Sequence, residues 1–334
     1  MKRQLGRGHG VAAARPKFTR ALASLLLIPA CAAFNACGAG PRGEASAPWL
    51  SSEGAADLAA VSARPYSTWQ SLGERLLPGP GPGAPEGTDS EGTDPGGFPV
   101  GGIASHHLLS HAWIDAWFAA LARARTVETF FIVSPRHFGQ SGGVASMSLR
   151  PFAVSGGFVE VDVPAARRVA ERLEASFDDT AFTYEHGVST FAPFIARHFP
   201  GARVVPLAVD GEPPVDLADA RALAAALLPE FRGGAVRRAF LLVSSDFSHH
   251  GTKAEADRRD AISRRFVERP SADTWFFAGC DNRPGMYVLG ALADGLGAAG
   301  RVLWRTTALD IAPDHVDPRD VTSYFFSFVA LAAP

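Results

Sequence analysis

Beyond Gly97 the chain alternates short apolar runs with stretches of helical periodicity, a pattern that restricts the fold to a sheet covered by helices on both faces. The spacing predicts strands over residues 100–105, 129–134, 159–163, 203–209, 239–244, 301–307 and 322–331. It predicts helices over 108–125, 164–176, 190–198, 217–231, 253–268 and 285–296. In the first of these helices Leu109, Trp113, Trp117 and Leu121 recur every four residues, with Ile114 and Phe118 beside them. Such a stripe faces a core; it is not a cofactor box. Residues 98–334 have the length of one domain and show no internal repeat.

The N-terminus has a different character. Residues 1–37 hold six Lys or Arg and no acid, and an apolar run at 21–34 leads to small residues around Cys37. That is the layout of a secretory signal peptide, and the run is shorter than the roughly 20 residues a membrane-spanning helix needs. Cys31 and Cys37 at its end resemble a bacterial lipobox, so the expectation is export to the cell envelope as a lipoprotein. The lipid anchor on one of these two cysteines is then the expected membrane contact. Residues 38–97 are expected to be a flexible tether, since twelve of the twenty residues from 78 to 97 are Pro or Gly. Within it, 49–77 has enough apolar residues for a short helix.

Without residues 1–37 the charge balance is 26 basic against 34 acidic residues, a net of −8. An acidic body without a basic run argues against nucleic acid as a partner. Three cysteines exclude a disulfide scaffold, and no phosphate-cradling glycine loop points to ATP or NAD.

Candidate chemistry collects at the ends of the predicted strands, where ligands bind in open α/β sheets. His106 and His107 follow the first strand, and His137 follows the second in Ser134-Pro135-Arg136-His137. Glu185-His186 stands ahead of a helix, and Asp246, His249 and His250 follow the strand at 239–244. Cys280 lies between two helical stretches. Imidazole, thiolate and carboxylate are the usual ligands of zinc, copper and iron. His111 and His198 fall within helical patterns and are expected to be ordinary polar or half-buried side chains. Metal-assisted hydrolysis, with Glu185 as base to a bound water, is a further chemistry these groups allow.

His106-His107-Leu108-Leu109, Ser134-Pro135-Arg136-His137, Glu185-His186 followed by Pro193-Phe194, Ser244-Ser245-Asp246-Phe247-Ser248-His249, and Gly279-Cys280 with Pro284 occur in that order. Together they resemble the Memo-like family, including AmmeMemoRadiSam system protein B, which is similar in fold to class III extradiol ring-cleaving dioxygenases. The resemblance runs over about residues 98–331. It implies a three-layer αβα sandwich with a central mixed, mostly parallel sheet. It also implies one metal site on His106, His137 and Cys280, with Glu185, His186, Asp246 and His249 as catalytic residues in the same pocket. The implied cofactor is one transition-metal ion, iron or copper, with zinc as a further candidate; a thiolate ligand softens the site. The implied function is a metal-dependent oxidoreductase of dioxygenase type acting on a small molecule, with His186 or His249 as base and Asp246 orienting it. The alternative is a module on the same fold that binds a peptide or a metal without turnover. Two departures from the family pattern matter. Ser105-His106-His107-Leu108 stands in place of Pro-His-Ala-Gly, which leaves open which histidine faces the metal, and Cys280-Asp281 adds a carboxylate beside the thiol.

Overall fold

The computed structural model describes residues 96–137, 143–182, 185–211 and 215–332. The leader with Cys31 and Cys37, and the tether up to residue 95 with its apolar stretch, lie outside the described residues.

Seven strands form one sheet in the order β3-β6-β2-β7-β1-β9-β8. Its centre is four parallel strands: β6 (Arg203–Val209), β2 (Thr129–Pro135), β7 (Ala239–Ser244) and β1 (Phe98–Ala104). β2 and β7 read as continuous apolar runs, and every residue in both is buried, as strands covered on both faces require. Three antiparallel strands complete the sheet: β3 (Ser146–Met147) on β6, and β9 (Ser323–Leu331) on β1 with β8 (Ala299–Thr307) outside it.

Helices cover the sheet in two groups. α1 (His111–Ala124) packs with α4 (Ala192–His198), while α2 (Val163–Leu173), α5 (Leu217–Leu227) and α7 (Arg283–Leu296) pack on one another. α6 (Lys253–Glu268) lies along β8. The result is the expected α/β sandwich with a mixed, mostly parallel sheet. Local chemistry sets the helix starts. Asp162 accepts from the Ala165 N–H ahead of Pro164, and Thr252 with Glu255 forms a capping box at α6. The stripe on α1 is core as predicted: Trp117 is fully buried and stacks on Phe328 at 4.9 Å. A Cβ on Gly102 of β1 would stand 2.8 Å from the Trp117 ring and 2.4 Å from the Ser327 carbonyl oxygen, so the strand carries glycine there.

One predicted strand is corrected. Residues 159–163 do not form a sheet strand; Phe152–Val154 (β4) and Gly157–Val159 (β5) form a separate hairpin, and α2 already begins at Val163. Val161 makes a single bridge to Val204. The apolar spacing there serves a hairpin leading directly into a capped helix. The helix predicted at 217–231 ends at Leu227 and tightens into a 3-10 turn, Leu228–Phe231, where Pro229 lacks the amide hydrogen an α-helix needs. Among the described residues, no helix is long and apolar enough to cross a membrane.

Candidate metal centre

The carboxyl ends of β1, β2 and β7 lie side by side at the centre of the sheet, and each releases a polar segment there. His106 leaves β1, His137 leaves β2 and Asp246 leaves β7. A fourth segment arrives through a short helix, α3 (His186–Ser189), capped by Glu185, which accepts from the Gly187 N–H. A Cβ on Gly187 would stand 1.9 Å from Ser134 Oγ, so only glycine lets α3 sit this close to the end of β2. That approach brings His186 against His137, with ring centroids 4.1 Å apart and planes 28° from parallel.

His106, His137 and His186 each present a ring nitrogen, and the three lie within 4.8 Å of one another. His106 with Asp246 and Asp281 forms a second group within the same limit. His106 Nε2 stands 3.5 Å from Asp281 Oδ2 and 3.8 Å from Asp246 Oδ2, and His137 Nε2 stands 4.0 Å from the same Asp281 oxygen. Five groups therefore converge, with His106 as the shared member. Side-chain exposure gives the site a direction: His106 is 3% exposed, His137 25% and His186 21%, so the floor is buried and the mouth opens along His137 and His186.

The rings are held from behind. His106 Nδ1 is hydrogen-bonded to Ser244 Oγ at 2.9 Å. Glu185 accepts from the His137 backbone N–H and from His137 Nδ1, both at 2.7 Å. These bonds occupy the Nδ1 atoms and leave Nε2 of both rings facing the convergence point. Asp281 accepts from the Ser245 hydroxyl at 2.8 Å and from the Asp246 N–H at 3.0 Å. Asp246 Oδ1 is buried without a hydrogen-bond partner, an acceptor left for a cation or ligand.

Burial and the neighbouring His137 push the His106 imidazole well below its ordinary range, and the same two causes act on His186. Burial also disfavours protonation of His137, but the hydrogen bond and charge of Glu185 outweigh it and raise its pKa. Burial and the charge of Asp246 push Asp281 well above the usual carboxylate range. Burial thus favours the neutral forms of His106, His186 and Asp281, while His137 and Glu185 hold each other in their charged forms.

The expected residues separate in an informative way. Of the two adjacent histidines, His106 joins the cluster, while His107 turns away and pairs with the Tyr324 hydroxyl on β9. His186, expected as a base, stands among the clustered imidazoles. Cys280, expected as the third ligand, belongs to neither group; its thiol is buried and pushed up to about 12 by burial and by Asp281. Cys280 and His249 instead line a cleft of about 250 Å³ that meets the cluster at Asp281. Glu185 has both oxygens engaged, by the His137 and Gly187 backbone N–H groups and by His137 Nδ1, which places it behind the His137 ring. His198 is an ordinary half-buried side chain bonded to Asp115 at 2.6 Å.

Sequence reasoning did not single out Asn282. It is fully buried, donates to the Val133 and Ser244 carbonyls at 2.8 Å each, and accepts from the Gly285 N–H at the start of α7. One side chain thereby ties β2, β7 and α7 together directly beneath Asp281. The only sequence signal was an Asn two residues before Pro284, a common helix-start arrangement.

The sequence profile of Memo-like proteins matches residues 109–275, half of the chain. The chain belongs to the Memo-like family. His137, Glu185, His186, Asp246 and His249 lie within the matched span, while His106, Cys280 and Asp281 lie outside it. A MEMO1 family protein of Pyrobaculum aerophilum is 30% identical over 152 residues, 45% of this chain and 53% of that protein. One from Pyrobaculum arsenaticum is 32% identical over 155 residues, 45% and 54% of the two chains. A third, from Methanopyrus kandleri, is 28% identical over 157 residues. The chain matches these curated relatives over about half of their length. In this Memo-like chain the matched span supplies His137, Glu185, His186 and Asp246, while the segment after β1 supplies His106 and the loop before α7 supplies Asp281.

Proposed function

We propose that the chain is a mononuclear metal protein in which the imidazoles of His106, His137 and His186 hold one transition-metal ion beside Asp281 and Asp246. The observation that carries this reading is the convergence of three ring nitrogens, with the His106 ring pinned from behind by Ser244 and the His137 ring by Glu185. Ligand atoms about 2.1 Å from an ion in tetrahedral arrangement stand about 3.4 Å apart; His106 Nε2 stands 3.5 Å from Asp281 and 3.8 Å from Asp246, and the three ring nitrogens, within 4.8 Å of one another, close to that spacing on a small adjustment. With nitrogen and oxygen donors and no thiolate in the group, the set suits iron, copper(II) or zinc more than a soft ion. This reading replaces Cys280 by His186 as third ligand.

Such an ion, when bound, supplies Lewis acidity and, for iron or copper, redox chemistry toward O2 and a phenolic or other small substrate, the chemistry of a dioxygenase-type oxidoreductase. The chain's own residues do the remaining work. His137 and His186 border the open mouth, and His249 on the adjoining cleft is the base that takes a substrate proton. Oxygen uptake by iron-loaded protein with a panel of catechols tests turnover; metal binding with no uptake across the panel would favour the non-catalytic binding module.

Two consequences follow for binding. Because His106 and His186 stay neutral well below the ordinary imidazole range, the only imidazole proton that ligation displaces is that of His137, and the raised Asp281 carboxyl is the other proton source beside the ion. Metal affinity should rise with pH through these two raised transitions with a slope of about one to two protons, and level off above them. Titration calorimetry in two buffers of different ionisation enthalpy counts those protons; a slope near three would contradict the account. Replacing Glu185 by Gln should weaken metal binding roughly 10–100-fold, since it removes the charge that orients the His137 ring. Unchanged affinity by competition with a chelator would count against Glu185 as the orienting group.

We further propose that the leader directs export and that a cysteine at its end is lipidated. Intact mass of the membrane fraction should show loss of the leader and a gain of diacylglycerol. A soluble product that keeps Met1 would overturn this.

A further inference from the structure

The cleft beside the cluster carries charges that the metal reading does not use. Arg259 of α6 and Arg283, the first residue of α7, stand on its wall with Ser248, His249, Cys280 and Asp281. Arg259 donates to the His249 carbonyl at 2.9 Å, which anchors its side chain to the cleft wall. Arg283 Nε is buried and has no hydrogen-bond partner. A buried guanidinium N–H without an acceptor is unfavourable by itself, and a ligand oxygen drawn in from the cleft would satisfy it.

We propose that Arg259 and Arg283 form a subsite for the carboxylate of a small substrate whose other end reaches the imidazole cluster. The proposal rests on the metal reading for where that other end goes, and Asp281 supplies the link. It lines the cleft and stands 3.5 Å from His106 Nε2, so a molecule seated in the cleft abuts the cluster. Guanidinium groups recognise carboxylates through paired, planar N–H bonds, which a single ammonium cannot reproduce. The size of the cleft, about 250 Å³, suits a ring-sized molecule rather than a folded partner. The local charge favours a monoanion. The two guanidinium charges are offset in part by Glu255, whose carboxylate feels Arg259, so a dianionic phosphate meets less compensation than a carboxylate.

The test uses full-length protein and three probes of one shape: benzoate, its neutral counterpart benzamide, and phenyl phosphate. By titration calorimetry benzoate should bind and benzamide should not. Arg283→Gln and Arg259→Gln should each weaken benzoate about tenfold or more while metal content stays at the wild-type level. Arg283→Lys should recover only part of the affinity. His137→Ala should affect benzoate less than either arginine variant, so loss of the ion and loss of the anion subsite are read separately. Wild type that binds benzoate in this pattern yet holds no metal would sink the metal reading and leave the subsite standing. Equal binding of benzoate and benzamide, unchanged benzoate affinity in Arg283→Gln, or binding of phenyl phosphate without benzoate would overturn the proposal.

Discussion

Replacing His137 by Ala is expected to strip the protein of most of its metal while the sandwich stays folded. The ring contributes its Nε2 to the cluster and only its Nδ1 to Glu185, and it lies at the open mouth, so its removal leaves the apolar core intact. His106→Ala and His186→Ala should have the same effect on metal content. His106 sits deeper, is almost fully buried and hydrogen-bonded to Ser244, and its loss should also lower stability. Two control variants separate this account from its neighbours. His249→Ala should spare the metal and reduce turnover. Cys280→Ala should leave metal content unchanged, whereas loss of metal in that variant with retention in His186→Ala would restore the thiolate set that the family resemblance implies. Elemental analysis by plasma mass spectrometry, paired with thermal melts of each variant, reads all of these.

Asn282→Ala should destabilise the fold by about 3 kcal/mol, a large effect for a polar residue. Three hydrogen bonds end at this fully buried side chain, each with a net worth of about 1 kcal/mol. Their loss leaves the Val133 and Ser244 carbonyls without this donor at the ends of adjacent strands. It also uncaps α7 at the Gly285 N–H. Because Asp281 is the preceding residue, the same substitution should loosen the carboxylate beside His106 and weaken metal binding. Urea denaturation of the metal-free protein isolates the first effect; a change below about 1 kcal/mol would show that water replaces the side chain at little loss.

The strands most legible in the sequence were those buried on both faces. β2 and β7 show as unbroken apolar runs, β1 differs in its glycines, and together they place His106, His137 and Asp246 at neighbouring ends of a parallel sheet. Helix α6 spans the residues its periodicity predicts, and the Thr252–Glu255 capping box fixes its start. The hairpin of β4 and β5 was not, because three-residue strands carry too little periodicity to separate from the apolar start of α2.

Within the site, spacing showed that imidazoles accumulate at strand ends but not which way each ring turns. His106 and His107 are adjacent, and only the Tyr324 hydroxyl on β9 draws one of them away. His186 reaches the cluster because Gly187 permits a close approach to Ser134, a steric fact with no periodic signature. The assignment of Cys280 as a ligand came from the family resemblance, and here the thiol lies on the cleft while Asp281 beside it faces His106. Asp281 was noticed as a carboxylate beside the thiol, but its place against His106, and the ties of Asn282 to Val133 and Ser244, rest on contacts distant in sequence that spacing does not show.

The ligand set itself is open to direct measurement. Full-length protein, produced without a histidine tag and loaded with one equivalent of zinc, can be studied by X-ray absorption at the zinc edge. The account predicts a first shell of nitrogen and oxygen at about 2.0–2.1 Å with imidazole scattering from three rings and no sulfur. A sulfur neighbour at about 2.3 Å would contradict it and place Cys280 on the metal.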